Sequence, residues 1–141
     1  MFKRIYLIYT VLLLSVVTLT ACQSTPEIGI EASMASGSYR VVTVSELQTM
    51  LEEKDFVMIN VHTPWQGNIP QTDLRLPYDQ IEKNQDQLPT EKDTKILVYC
   101  YTSGMAKKAI STLLIHGYTN LRMLDGGTTA WEEAGLSLIK E

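Results

Sequence analysis

The chain alternates between two periods of apolar residues. "FVMINV" (56–61) and "KILVYC" (95–100) are nearly continuous apolar runs of strand length, as expected for strands covered on both faces of a parallel sheet. Elsewhere the period lengthens. In "TVSELQTMLEEK", Val44, Leu47, Met50 and Leu51 share one helical face, and Thr43 with Glu46 spells a capping box. Ala106, Ala109, Ile110, Leu113 and Leu114 recur at helical spacing ahead of Gly117, a helix stop. "YRVV" (39–42) predicts a first strand and "NLRMLDGG" a later one. A short closing helix over "TTAWEEAG" follows, with a second capping box from Thr129 to Glu132. "PWQGNIPQTDLRLP" holds three prolines and a glycine, which predicts loop with a short strand near 74–76. "YDQIEKNQDQLP" reads as a weak polar helix that Pro89 ends. Strands alternating with helices of these lengths predict an α/β domain with helices on both faces of a parallel sheet.

The N-terminus follows a different pattern. "MFKRIYLIYTVLLLSVVTLTACQS" places Lys3 and Arg4 before a mostly apolar run from Ile5 to Thr20, the charged and apolar regions of a secretory signal. The run is short for a membrane-spanning helix, which needs about 20 apolar residues. It ends in "LTAC", which resembles a bacterial lipobox. That resemblance implies a signal peptide over 1–21, removal of which leaves Cys22 as the lipidated first residue. The expectation is a lipid-anchored (palmitate-bearing) protein on the extracytoplasmic side of a bacterial membrane. Residues 22–38 read as a flexible tether, reaching roughly 20–25 Å for about 16 residues. The domain is expected over 39–141, enough chain for one core.

Composition narrows the partners. Of 12 basic residues two leave with the signal, so 10 stand against 16 acidic ones, a charge of −6. No basic patch with interleaved aromatics points to nucleic acid. Two histidines, His62 and His116, and one available cysteine lie far apart in sequence and give no metal signature; no cofactor is expected. With Cys22 carrying lipid, Cys100 has no disulfide partner in a compartment that favours disulfides.

Cys100 ends the second buried run, with a helix starting a few residues later. In a parallel sheet, sites form at the carboxyl ends of strands. The small and polar residues Tyr101 to Met105 suit a loop that turns its N–H groups toward one point. The helix N-terminus adds partial positive charge there, so an anionic sulfur is favoured. These residues leave two readings open: an inert buried cysteine, or a thiolate held for chemistry.

"LVYC" with its loop and helix, then "LDGGTTAWEEAG", resembles the rhodanese-like domain. "VMINVHTP" is similar to that family's Asp-Val-Arg-x-Pro strand end and "GNIP" to its Gly-His-Ile-Pro turn. The resemblance, over roughly 39–138, implies a five-stranded parallel sheet flanked by helices. It also implies that Cys100 is the catalytic cysteine, taking sulfane sulfur from a donor such as thiosulfate or a persulfide. A thiol or cyanide-like acceptor then removes that sulfur. Cys100, Tyr101, Thr102, Ser103, Gly104 and Met105 correspond to the family's active loop.

The departures are specific. Tyr101 and Met105 stand where the family often carries arginine, and Asn60, His62 and Asn68 replace its Asp, Arg and His. A neutral hydrogen-bonded set is expected in place of an ion pair. Lys107 and Lys108 on the following helix are the nearest cations in sequence. His62 is placed where it can face the rim near Cys100, as a turn residue or as a Cys–His partner, and Trp65 is a candidate rim contact. His116 is expected to complement its helix dipole, and Trp131 to pack the closing helix onto the sheet. The alternative reading is a catalytically inactive module that binds a partner or a sulfur species. A Cys-x5-Arg phosphatase is excluded because Ala106 stands where the arginine belongs, and a thioredoxin-type pair because no second cysteine lies near.

Overall fold

A computed structural model describes residues 27–140. Cys22 and the signal region fall outside the described residues. The elements are β1 (Ile30–Met34), β2 (Gly37–Val42), α1 (Val44–Glu52), β3 (Val57–Asn60), β4 (Leu74–Arg75), β5 (Ile96–Tyr99), α2 (Gly104–Ile115), β6 (Leu121–Leu124) and α3 (Gly127–Glu133). They form one six-stranded sheet in the order β1-β2-β6-β5-β3-β4. Every pairing is parallel except β1 with β2. No helix of the described residues is long and apolar enough to cross a membrane.

The period-two alternation along β5 sorts its side chains into two layers. Ile96, Val98 and Cys100 pack with Ala106, Ala109, Ile110 and Leu113 of α2. Leu97 and Tyr99 pack on the opposite face with Leu47 and Met50 of α1 and Trp131 of α3. Trp131 is buried as expected, and its indole Nε1 donates to the carbonyl of Ser137. The capping box of α1 is present: the Glu46 amide donates to Thr43 Oγ1, and the Thr43 amide to the Glu46 carboxylate.

Three local expectations are corrected. Residues 30–38 are not tether, because Ile30–Met34 pairs with Gly37–Val42 as an antiparallel hairpin, supplying the sixth strand. Ile30, Ala32 and Met34 alternate with Glu31 and Ser33, and Ala32 and Met34 reach the α2-side core. Arg40 secures the entry by donating to the carbonyls of Glu27, Ile28 and Gly29. The weak helix over 78–89 is two short 3₁₀ turns, Ile81–Lys83 and Gln85–Gln87. Ile81 and Leu88 are the apolar anchors of that segment, too few for a continuous helical stripe. The second capping box does not form either. Helix α3 starts at Gly127 behind a left-handed Gly126 (φ 69°), and the Thr129 hydroxyl donates instead to the carbonyl of Tyr101.

Candidate active site

Cys100 follows β5 directly, at the carboxyl end of a central strand, and is 1% exposed. Two elements fix the loop behind it. The first is α3, whose opening amides reach back to the loop carbonyls. Thr128 N–H donates to Cys100 O at 2.9 Å, and Thr129 N–H and Oγ1 donate to Tyr101 O at 3.0 and 2.9 Å. Gly126 N–H donates to Ser103 Oγ at 3.2 Å. The second is α2, whose first internal bond runs from Lys107 N–H to Ser103 O.

The carbonyls of Cys100 and Tyr101 therefore point to α3. In a trans peptide the N–H opposes the C=O, so the amides of Tyr101 and Thr102 point away from α3. Among the described residues, none of the N–H groups from Tyr101 to Ala106 has a backbone or side-chain acceptor; those from Gly104 on are the opening amides of α2. Six consecutive N–H groups without an acceptor, the last three of them the opening amides of α2, thus follow the end of β5. A helix N-terminus is a favourable place for an anion.

Glycine at 127 makes the approach of α3 possible. A Cβ there would lie 2.2 Å from Cys100 O and 2.5 Å from Thr102 O, and its φ is +56°. No side chain fits between helix and loop.

On the α2 side a cavity of about 320 Å³ opens over the cysteine. Its walls come from the loop (Tyr101, Thr102, Gly104 and Met105), from His62 and Tyr78 across the cleft, and from Lys108 on α2. Of the loop residues 100–105, Cys100, Tyr101, Thr102, Gly104 and Met105 line the cavity, while Ser103 turns back to Gly126. His62 shares the cavity and lies near Tyr101, ring centroids 5.6 Å apart. Neither imidazole nitrogen has a hydrogen-bond partner among the described residues, Cys100 Sγ included, so no Cys–His pair is formed. Lys108 lines the cavity and Lys107 does not.

Trp65 is not part of this wall. Its Nε1 donates to Asn68 Oδ1 at 2.9 Å, and the Arg75 guanidinium stacks 4.6 Å from its ring. Asn68 Oδ1 also accepts from Asn60 Nδ2 at 2.9 Å; Asn60 donates to Gly67 O and accepts from the His62 N–H. This is the neutral set expected from the sequence, with the difference that His62 enters it through its backbone. Nearby, Tyr99 Oη accepts from Ile69 N–H at 3.0 Å and meets Thr72 Oγ1 at 2.7 Å. Because Thr72 gives its proton to Ile69 O, the tyrosine hydroxyl donates to Thr72. Burial holds the Tyr99 hydroxyl above its ordinary pKa, so it stays a donor. His116 ends α2, its Nε2 3.9 Å from Glu82 Oε1.

The sequence reading missed Tyr78 as a wall and Gly127, Thr128 and Thr129 as the clamp. The double glycine of "LDGGTT" carried the only sequence signal for the clamp. Among the described residues no cluster of His, Cys, Asp or Glu is placed to hold a metal ion.

The fold agrees with the comparisons. The family described as rhodanese-like domain matches residues 43–134, and the chain belongs to that family. It is 28% identical over 95 residues to a sulfurtransferase of Allochromatium vinosum, covering 65% of this chain and 86% of the relative. It is 25% identical over 104 residues to a thiosulfate sulfurtransferase of Pseudoalteromonas translucida, covering 69% and 92%. A rhodanese-related protein of Thermoplasma volcanium superposes with a TM-score of 0.62 at 23% identity, over 73% of this chain and all of that one, which concerns the fold. A rhodanese-like domain protein of Staphylococcus aureus superposes with a TM-score of 0.59 at 26% identity, over 71% and 98%.

Proposed function

We propose that this protein is a membrane-tethered sulfurtransferase that carries sulfane sulfur as a persulfide on Cys100. The observation that supports it most is the run of free N–H groups from Tyr101 to Ala106 around the end of β5. The Cys100 thiolate attacks the outer sulfur of the donor, forming an S–S bond as the donor's own bond to that sulfur breaks. The departing sulfite or thiolate keeps the bonding pair. An acceptor thiol or cyanide then attacks the outer sulfur and regenerates the Cys100 thiolate. The amides offset negative charge on sulfur in both steps.

Lys3, Arg4, the apolar run and "LTAC" support the tether, with lipid on Cys22 holding the domain on the extracytoplasmic side of a bacterial membrane. In the bacterial host, mass spectrometry of the mature chain is expected to find diacylglycerol on Cys22; an unmodified Cys22 overturns the tether alone. Sulfur transfer from thiosulfate or a persulfide to cyanide, lost in Cys100→Ser, tests the chemistry. The second reading, a module that binds a sulfur species without turnover, is favoured by one observation: Cys100 to Met105 carries no cationic side chain.

A further inference from the structure

The sheet ends on β1, and among the described residues no strand pairs with its outer edge. A turn at Ala35 and Ser36 joins β1 to β2, so Met34 and Gly37 form a hydrogen-bonded pair. Pairs alternate along the ladder, so Ile30, Ala32 and Met34 turn their backbone groups to β2. Val42 confirms the phase: its carbonyl accepts from the Asp125 amide on the β6 side, while its neighbour Val41 pairs with Ile30. The N–H and C=O groups of Glu31 and Ser33 therefore point away from the sheet. The strand holds no proline or lysine, the residues that commonly blunt an edge. Its first side chain, Ile30, lies on the α2 side with Ala32 and Met34, yet is 78% exposed.

This edge is complementary to itself. An antiparallel copy pairs outward-facing residues only with outward-facing residues, which restricts the register. Glu31 opposite Glu31 sets like charges together. Ser33 opposite Ser33 carries Glu31 past the strand, to Ala35 of the turn. Glu31 opposite Ser33 avoids both faults and uses every outward N–H and C=O of β1 in each copy. In that register Ala32 sits on the two-fold axis, and each exposed Ile30 faces Met34 of the second copy.

We propose that a second copy of this chain docks antiparallel along β1, with Ala32 on the axis, to make one sheet across two domains. The axis is normal to the sheet, so both copies keep α1 on one side and the cavity over Cys100 on the other. Ile28 packs on the α1-side core, and Glu27 shares a cavity with Thr49 and Met50 of α1. Both chains therefore enter from the α1 side, as two tethers to one membrane require, and both cavities open on the opposite side. A parallel ladder could not be made by such a symmetric pair, because the two-fold reverses the strand.

The test uses the full chain with Cys22→Ser and Cys100→Ser, in detergent with micelles in excess over chains. Ala32→Cys is expected to cross-link under mild oxidation, because facing residues of a non-hydrogen-bonded pair have Cα atoms about 4.5 Å apart, within disulfide range. Ile30→Cys is more exposed but is expected not to cross-link, its two copies lying about 14 Å apart along the strands. Charge at position 33 reads the register. Ser33→Lys faces Glu31 of the second copy and is expected to tighten the dimer Kd in sedimentation equilibrium by about threefold or more, and Ser33→Glu to weaken it by a similar factor. Ser33 is exposed in the single chain, so both variants keep the fold. A single chain at every concentration overturns the proposal. So does cross-linking of Ile30→Cys in preference to Ala32→Cys, or a Kd indifferent to the sign of charge at 33. None of these outcomes bears on sulfur transfer.

Discussion

The amide of Thr128 donates to the carbonyl oxygen of Cys100 at 2.9 Å, so the start of α3 holds the cysteine loop from behind. Trans-peptide geometry then turns the Tyr101 amide away from the helix, and Thr129 repeats the device one residue on. The proposed reactivity of Cys100 depends as much on α3, 27 and more residues downstream, as on the loop's own sequence.

Gly127→Ala tests that dependence. A Cβ would meet Cys100 O at 2.2 Å, with backbone rather than flexible side chain in its way, at a φ that a residue other than glycine rarely adopts. The variant is expected to lose about 2 kcal/mol or more of stability, from strain and displaced hydrogen bonds together. Where it still folds, sulfur loading is expected to fall more than tenfold. Urea melts and intact mass check the two effects separately. Wild-type stability and loading in Gly127→Ala would show that α3 does not clamp the loop.

Asn60 is buried and makes three hydrogen bonds that close the turn carrying His62. Asn60→Leu keeps the size but leaves the His62 N–H and Gly67 O without partners, an expected loss of about 2–3 kcal/mol. Asn60→Asp keeps the acceptor and sets a carboxylate against Gly67 O and Asn68 Oδ1, favouring the protonated acid in the fold. Its stability is therefore expected to be highest in acid and to fall as pH rises through the carboxylate range, which thermal melts at several pH values resolve.

How much of this was legible in the sequence follows from how local each signal is. Runs such as "FVMINV" and "KILVYC", and the stripe from Ala106 to Leu113, carry their burial in a short window, and β3, β5 and α2 lie there. The capping box of Thr43 and Glu46 is equally local. The one spelled by Thr129 and Glu132 fails because its threonine has a better partner 28 residues away, the Tyr101 carbonyl. Ile30 to Met34 alternates correctly, but small and polar residues dilute the pattern and its partner strand had to be known first. Cys100 and its loop were readable from the strand–loop–helix context. Tyr78 was not, since it enters the site from a segment of 3₁₀ turns with no period to follow.

Acid stability offers a test of the N-terminal half. The Thr43 backbone amide, then the Thr43 side chain, hold the Glu46 carboxyl below its ordinary range. A carboxylate lowered in the fold adds stability above its unfolded pKa, about 4.3, and loses it as pH falls through the lower folded value. Asp55, lowered chiefly by the Lys95 hydrogen bond, acts in the same direction. Glu46→Gln is expected to destabilise the domain at pH 7 and to flatten the acid limb of its melting profile. An unchanged limb would detach the capping box from stability.

Tyr99→Phe removes the hydroxyl shared by Ile69 and Thr72 and leaves the buried Ile69 N–H unpaired. About 1–2 kcal/mol is the expected cost in denaturant melts. Because burial raises the tyrosine's pKa, its stabilisation persists below about pH 10 and is lost as pH climbs through the higher folded value.

The central claim is that Cys100 carries sulfur. Intact mass of the full chain with Cys22→Ser, taken after incubation with thiosulfate or cysteine persulfide and again after adding a thiol acceptor, reads it most directly. The expected result is a gain of one sulfur atom that the acceptor removes and that Cys100→Ser abolishes. A folded chain that gains no sulfur from either donor, or one that gains it equally with Cys100→Ser, would contradict it.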